Sequence, residues 1–154
     1  MELHPDVEHL AMLLGTWRGK GSGHYPTIED FEYFEEVTFG HVGKPFIAYS
    51  QKTRDAATEL PLHSEAGYFR PVGTTAVELV LVQPSGIVEI HDGILDGTTL
   101  RMESTAVLTT PTAKSVTTVH RMIAVGESTL SYDVHMAAVG LPLQHHLSAE
   151  LHRQ

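Results

Sequence analysis

Over the first fourteen residues, apolar positions recur at helical spacing. Val7, Leu10, Ala11 and Leu14 stand at i, i+3, i+4 and i+7, one face of a short helix. His4-Pro5-Asp6 opens it, since proline suits a first helical turn and an acid suits the positive helix end. Gly15 is the expected stop. Beyond Gly15 the period falls to two: Phe31, Tyr33, Val37 and Phe39 alternate with Glu32, Glu36 and Thr38. Residues 16–24, 31–39, 46–49, 62–70, 76–83, 87–94, 99–108, 115–125, 129–139 and 143–151 read as strands. Pro71-Val-Gly73, Pro84-Ser-Gly86, Asp96-Gly97, Pro111, Gly126-Glu127 and Gly140-Leu-Pro142 separate them as turns.

About ten short strands with hairpin-length connections predict an up-and-down antiparallel sheet. Left open, such a sheet would expose two edges, and closure removes them. A closed barrel of this size is too wide for side chains alone to fill, so a cavity is expected, capped or plugged by the N-terminal helix. The competing all-β arrangement is a two-sheet sandwich with a filled core. Neither a repeat nor a linker interrupts the pattern, so residues 1–154 are expected to form a single domain.

Composition narrows the chemistry. Ten Lys and Arg face nineteen Asp and Glu, a net charge of −9, which argues against nucleic acid and against a polybasic hold on lipid. The absence of cysteine excludes disulfides, thiolate metal sites and cysteine nucleophiles. No apolar run reaches membrane-spanning length, and no basic start leads into an apolar stretch. A soluble cytoplasmic protein is the expectation.

Eleven histidines are the chief candidates for chemistry. Gln144-His-His-Leu147 lies in the last strand, where neighbours face opposite sides, so His145 and His146 are not expected to share a site. Alternation groups His145 with Leu143, Leu147 and Leu151, and His146 with Gln144, Ser148 and Glu150. A single inward histidine would suffice as the one protein ligand of a haem, but the residues alone do not choose between the two. His63 and Glu65 share a strand face and are expected on a solvated face with a cross-strand ion pair rather than as an acid–base couple. Lys114 stands at a strand entrance beside a turn, and no nucleophile elbow is present. Gly15-Thr-Trp-Arg-Gly-Lys-Gly21, with Gly23 beyond, puts Trp17, Gly19, Gly21 and Gly23 on one strand face. Bare positions on one face permit sharp bending or close approach, with Trp17 as a packing residue on the barrel floor.

That glycine-rich stretch, followed by Tyr25-Pro26, resembles the nitrobindin signature Gly-x-Trp-x-Gly-x-Gly. Residues 31–36, 63–71, 84–89 and 142–151 resemble the same family in order, so the likeness covers nearly the whole chain. It implies a ten-stranded barrel shaped like the lipocalins and fatty-acid-binding proteins, carrying one b-type haem per chain. The family's iron ligand precedes a Leu-x-Ala pattern, which here selects His146, ahead of Leu147-Ser-Ala149. By the same likeness Leu62, His63, Gln83 and Met136 line the haem cavity, and Lys114 falls in the segment of a haem-contacting lysine. The implied activity is isomerisation of peroxynitrite to nitrate, with binding of nitric oxide. The rivals are a nitric-oxide sensor or haem carrier without turnover, and a carrier of apolar ligands without haem. A homodimer is left open.

Overall fold

The computed structural model describes residues 1–154. Ten antiparallel strands close into one barrel: β1 (Gly15–Gly23), β2 (Phe31–Gly40), β3 (Ile47–Asp55), β4 (Pro61–Val72), β5 (Ala76–Gln83), β6 (Ile87–Asp96), β7 (Thr99–Thr109), β8 (Val116–Val125), β9 (Thr129–Ala138) and β10 (Gln144–Arg153). Each strand pairs with its chain neighbours, and β10 pairs back onto β1 from Trp17–Arg153 to Gly23–Leu147. The sandwich alternative is thereby excluded. β3 runs well past the apolar stretch at 46–49 because its inward residues Gln51 and Thr53 are polar, which hides the alternation.

The N-terminal helix is a 3₁₀ helix, Pro5–Leu13, which corrects the expected α-helical spacing. Val7, Leu10 and Leu13 are its fully buried residues, a spacing of three that lines up in 3₁₀ geometry. Ala11 is exposed instead, and Leu14 is only half-buried. The helix seals one end of the barrel. Its buried side chains join Trp17, Phe39, Ile47, Val77, Leu100 and Leu130 in a continuous apolar core. Trp17 Nε1–H donates to the Leu13 carbonyl at 2.8 Å, and the Arg153 guanidinium lies 4.1 Å from the indole centroid while donating to the Leu14 and Met12 carbonyls. Those contacts satisfy carbonyls that a helix end leaves without partners.

Two glycines of the β1 motif make room. A Cβ at Gly19 would stand 2.1 Å from the Glu150 carbonyl oxygen of β10, and one at Gly21 would stand 2.3 Å from the Tyr33 ring. The motif thus brings β10 close and opens a slot for the Tyr33 phenol. At the opposite end of the barrel the sheet loosens. β7 and β8 pair only over residues 99–103 and 120–124. Beyond that, Val119 N–H donates to Ser104 Oγ at 2.9 Å and the strands diverge.

Candidate functional site

The loosened end opens into a cavity of about 510 Å³. His146, Lys114, Leu62, His63, Gln83 and Met136 all line it, so the side chains singled out by resemblance come together around one space. The wall near the mouth is apolar, built from Ile28, Ile87, Val116, Val134 and Leu147 among others, and the depth is polar.

The position of His146 comes from a fault in the sheet. β10 pairs with β9 as His145–His135 and then Leu147–Val134, so His146 is an extra residue without an opposite number. Such a bulge interrupts strict alternation and re-aims side chains. His146 and Leu147 therefore both line the cavity, while His145 turns outward with Nε2 3.3 Å from Asp133 Oδ1. The same device operates across the mouth. β4 pairs with β3 as His63–Thr53 and Pro61–Arg54, leaving Leu62 unpaired, so adjacent Leu62 and His63 both line the cavity.

Around His146 the backbone sets the tautomer. The His24 carbonyl accepts a hydrogen bond from Nδ1–H at 2.5 Å, and His24 N–H donates to the His146 carbonyl at 2.7 Å. With Nδ1 carrying the proton, a neutral ring keeps its lone pair on Nε2. Burial lowers the His146 pKa, against the opposing pull of the His24 carbonyl, and so favours that neutral ring. Nowhere do three His, Asp or Glu side chains converge to hold a bare metal ion. One fixed imidazole at an apolar-walled cavity suits a metal that brings its own equatorial ligands, and Lys114 at the rim offers a cation to carboxylates. The donor set therefore fits haem. Lys114 Nζ stands 4.7 Å from the Tyr25 ring centroid.

Alternation did not reveal the cavity's depth. Arg121 of β8 forks onto two carboxylates, with Nη1 2.8 Å from Glu65 Oε1 and Nη2 2.8 Å from Glu89 Oε2. Glu89 and His91 are fully buried and bonded to each other at 3.0 Å, and Gln83 Nε2 donates to Glu89. Glu65 is buried and also accepts from the Tyr49 hydroxyl at 2.7 Å. The solvated face expected from sequence for His63 and Glu65 is thus corrected: both residues line the cavity, and the Glu65 carboxylate is tied to Arg121. His63 Nε2 is 3.7 Å from Glu65 Oε2. Burial pushes the Glu65 and Glu89 carboxyls up, but the Arg121 guanidinium, joined by His63 at Glu65 and His91 at Glu89, holds both below the usual range. Glu35 has no such partner, and burial pushes it up to about 7 against hydrogen bonds from Tyr132 and Gln51.

A legible signal for this cluster existed and was ambiguous. In β6, Ile87-Val-Glu-Ile-His carries apolar residues at both parities. The structure turns Glu89 and His91 inward and leaves Ile90 outside.

Residues 6–153 match the family model described as the THAP4-like, heme-binding beta-barrel domain. The chain is 56% identical to a protein of Mycobacterium avium named peroxynitrite isomerase 2, over 99% of this chain and 98% of that one. It is 52% identical to a Nocardia farcinica protein named peroxynitrite isomerase, over 98% and 92%. Rv2717c of M. tuberculosis superposes with a TM-score of 0.93 at 49% identity, covering 99% of both chains. A phycobiliprotein lyase of Guillardia theta shares the fold alone, with a TM-score of 0.64 at 10% identity.

Proposed function

The chain belongs to the THAP4-like, heme-binding beta-barrel family, and from that premise we propose that it is a peroxynitrite isomerase carrying one b-type haem on His146. Relatives aligned over nearly its full length bear that name. The observation that carries the reading is the bulged His146, its Nδ1–H held by the His24 carbonyl and its ring lining the cavity. Held there by His146, haem would supply the redox-active iron chemistry that converts peroxynitrite to nitrate and binds nitric oxide.

The chain's own residues do the rest. His24 orients the imidazole and keeps the proton off Nε2. Leu62, Met136 and Leu147 exclude water from the cavity wall, and Lys114 meets a carboxylate at the rim. His63 and Gln83 present polar groups to the cavity, and no general base is called for. A purely apolar ligand is disfavoured by the depth of the cavity, where Glu65, Glu89 and Arg121 present charged groups rather than hydrocarbon.

Titrating the haem-free protein with haem, then mixing the complex with peroxynitrite in a stopped-flow instrument, tests the proposal. A saturating Soret change at one haem per chain and faster decay with an increased nitrate-to-nitrite ratio are expected. Haem binding without a change in that ratio would leave a carrier or sensor, and no haem binding would overturn the whole reading.

A further inference from the structure

Tyr33 and Tyr132 play no part in holding haem, yet they form a directed hydrogen-bonded chain that starts at the cavity. Tyr33 lines the cavity wall. Its hydroxyl is 2.6 Å from that of Tyr132, and the Tyr132 hydroxyl donates to Glu35 Oε2 at 2.6 Å. Tyr132 has one proton and gives it to Glu35, so Tyr33 is the donor of the first link. The competing acceptor, the Ser148 carbonyl, is 3.5 Å away. The sequence builds this chain deliberately: Tyr33 and Glu35 are inward neighbours on β2, and Gly21 provides the slot in which the Tyr33 ring sits. Beyond it, Glu35 Oε1 and Gln51 Oε1 are buried acceptors without a donor. Burial makes Glu35 a stronger base than an ordinary carboxylate, while Tyr33 is held far from simple ionisation, chiefly by burial.

A phenol that cannot ionise can still lose an electron if its proton leaves at the same time to a base already hydrogen-bonded to it. We propose that Tyr33, backed by Tyr132 and Glu35, is a one-electron donor that traps radical oxidants formed in the cavity. The oxidant is nitrogen dioxide, released when the peroxynitrite O–O bond breaks homolytically, so the inference rests on the reading above. An electron passes from Tyr33 to nitrogen dioxide, which leaves as nitrite. As it does, the Tyr33 O–H proton moves to the Tyr132 oxygen and the Tyr132 proton moves to Glu35 Oε2. The phenoxyl radical is consumed by a second nitrogen dioxide. A C–N bond forms ortho to the oxygen, the ring proton is lost from that carbon, and the oxygen regains a proton, giving 3-nitrotyrosine. Two nitrogen dioxide molecules are thus removed as one nitrite and one nitro group, with one proton released.

Two arms separate this inference from the functional reading. In the first, nitrogen dioxide is generated by pulse radiolysis against the haem-free protein, so that neither haem nor isomerase activity is needed. Freeze-quenched samples are expected to show a tyrosyl radical that Tyr33→Phe removes and Tyr68→Phe, an exposed control on the outer face, leaves. Its formation should slow in deuterium oxide and fall about tenfold or more in Glu35→Gln. Tyr132→Phe, which breaks the chain without altering the base, should act in the same direction. Folding of each variant is checked by circular dichroism. In the second arm the haem-loaded protein meets peroxynitrite, nitration is mapped by peptide mass spectrometry, and nitrate yield is measured in the same samples. Nitration concentrated at Tyr33 supports the relay. A radical or nitro group confined to Tyr68, or an unchanged rate in folded Glu35→Gln and Tyr132→Phe, overturns it. An unaltered nitrate yield overturns the isomerase reading instead, and the radiolysis arm still decides the relay.

Discussion

The two ends of this barrel are made by the same ten strands and solve opposite problems. At the sealed end the inward residues are Trp17, Phe39, Ile47, Val77, Leu100 and Leu130, packed with the buried face of a 3₁₀ helix. At the open end the same strands turn in Glu35, Gln51, Glu65, Glu89 and Arg121 beneath a cavity. Each large apolar side chain at the sealed end contributes about 1.5–3 kcal/mol by leaving water. The open end gains far less from burial and holds its charges only because they are paired. Stability is concentrated at one end so that the other can keep a space, a lone imidazole and ionisable groups.

The largest effect that tests this division is at the open end and is functional. His146→Ala is expected to abolish stable haem retention while leaving the far-UV spectrum and thermal midpoint of the haem-free protein nearly unchanged. His145→Ala, one residue away but outside the barrel, should retain haem. Reversal of that pair in a haem titration would show that the bulge does not aim His146 as described.

The next largest is Arg121→Met. It strands the Glu65 and Glu89 carboxylates without a partner, and removing one member of a buried ion cluster costs about 3–5 kcal/mol. Urea titration at neutral pH measures it. A loss below roughly 1 kcal/mol would mean the depth of the cavity is wet enough to screen its own charges.

A pH series sharpens the same contrast. Glu35 is raised to about 7 from a usual value of 4.5, so the folded state holds its proton where the unfolded chain has released it. Its contribution is therefore full below about pH 4.5 and is lost as pH rises through about 7, amounting to about 3–4 kcal/mol. Glu65, held low by Arg121 against burial, has the opposite sign: its contribution is present above the ordinary carboxylate range and lost as pH falls. Glu35→Gln should flatten the loss of stability expected of the wild type between pH 5 and pH 8. Parallel pH profiles for the two proteins would refute the raised carboxyl.

The smallest effect belongs to the sealed end. Trp17→Phe keeps most of the buried surface but leaves the Leu13 carbonyl without the indole N–H, a cost of about 1–2 kcal/mol. The Soret band of the haem complex should not move. A shifted band would mean that the two ends are mechanically coupled.

The sequence was most legible where one face of a strand is buried in hydrocarbon. Phe31 to Phe39 announce their strand because alternation and burial coincide. The glycine-rich motif announced a close approach, though not that Tyr33 would occupy the space. Legibility failed at three places, each for a physical reason. The N-terminal segment has apolar residues at both three- and four-residue spacing, so its helix type depended on which side chains met the barrel. The 87–94 segment has apolar residues on both faces, so its buried Glu89 and His91 were masked by Val88 and Ile90. At 144–147 alternation grouped His145 with the leucines without choosing between the two histidines, and only the resemblance to nitrobindins pointed to His146.

The sequence by itself determined the all-β class, the strand count, the order of the turns and the absence of any thiolate ligand, because these follow from local periodicity and composition. Closure of the sheet, the bulges at Leu62 and His146, and the meeting of Glu65, Glu89 and Arg121 from β4, β6 and β8 were decided only in three dimensions. Strand register is a property of two partners. A one-residue slip in pairing sends a side chain to the opposite face, and no periodicity within a single strand records where its neighbour will slip.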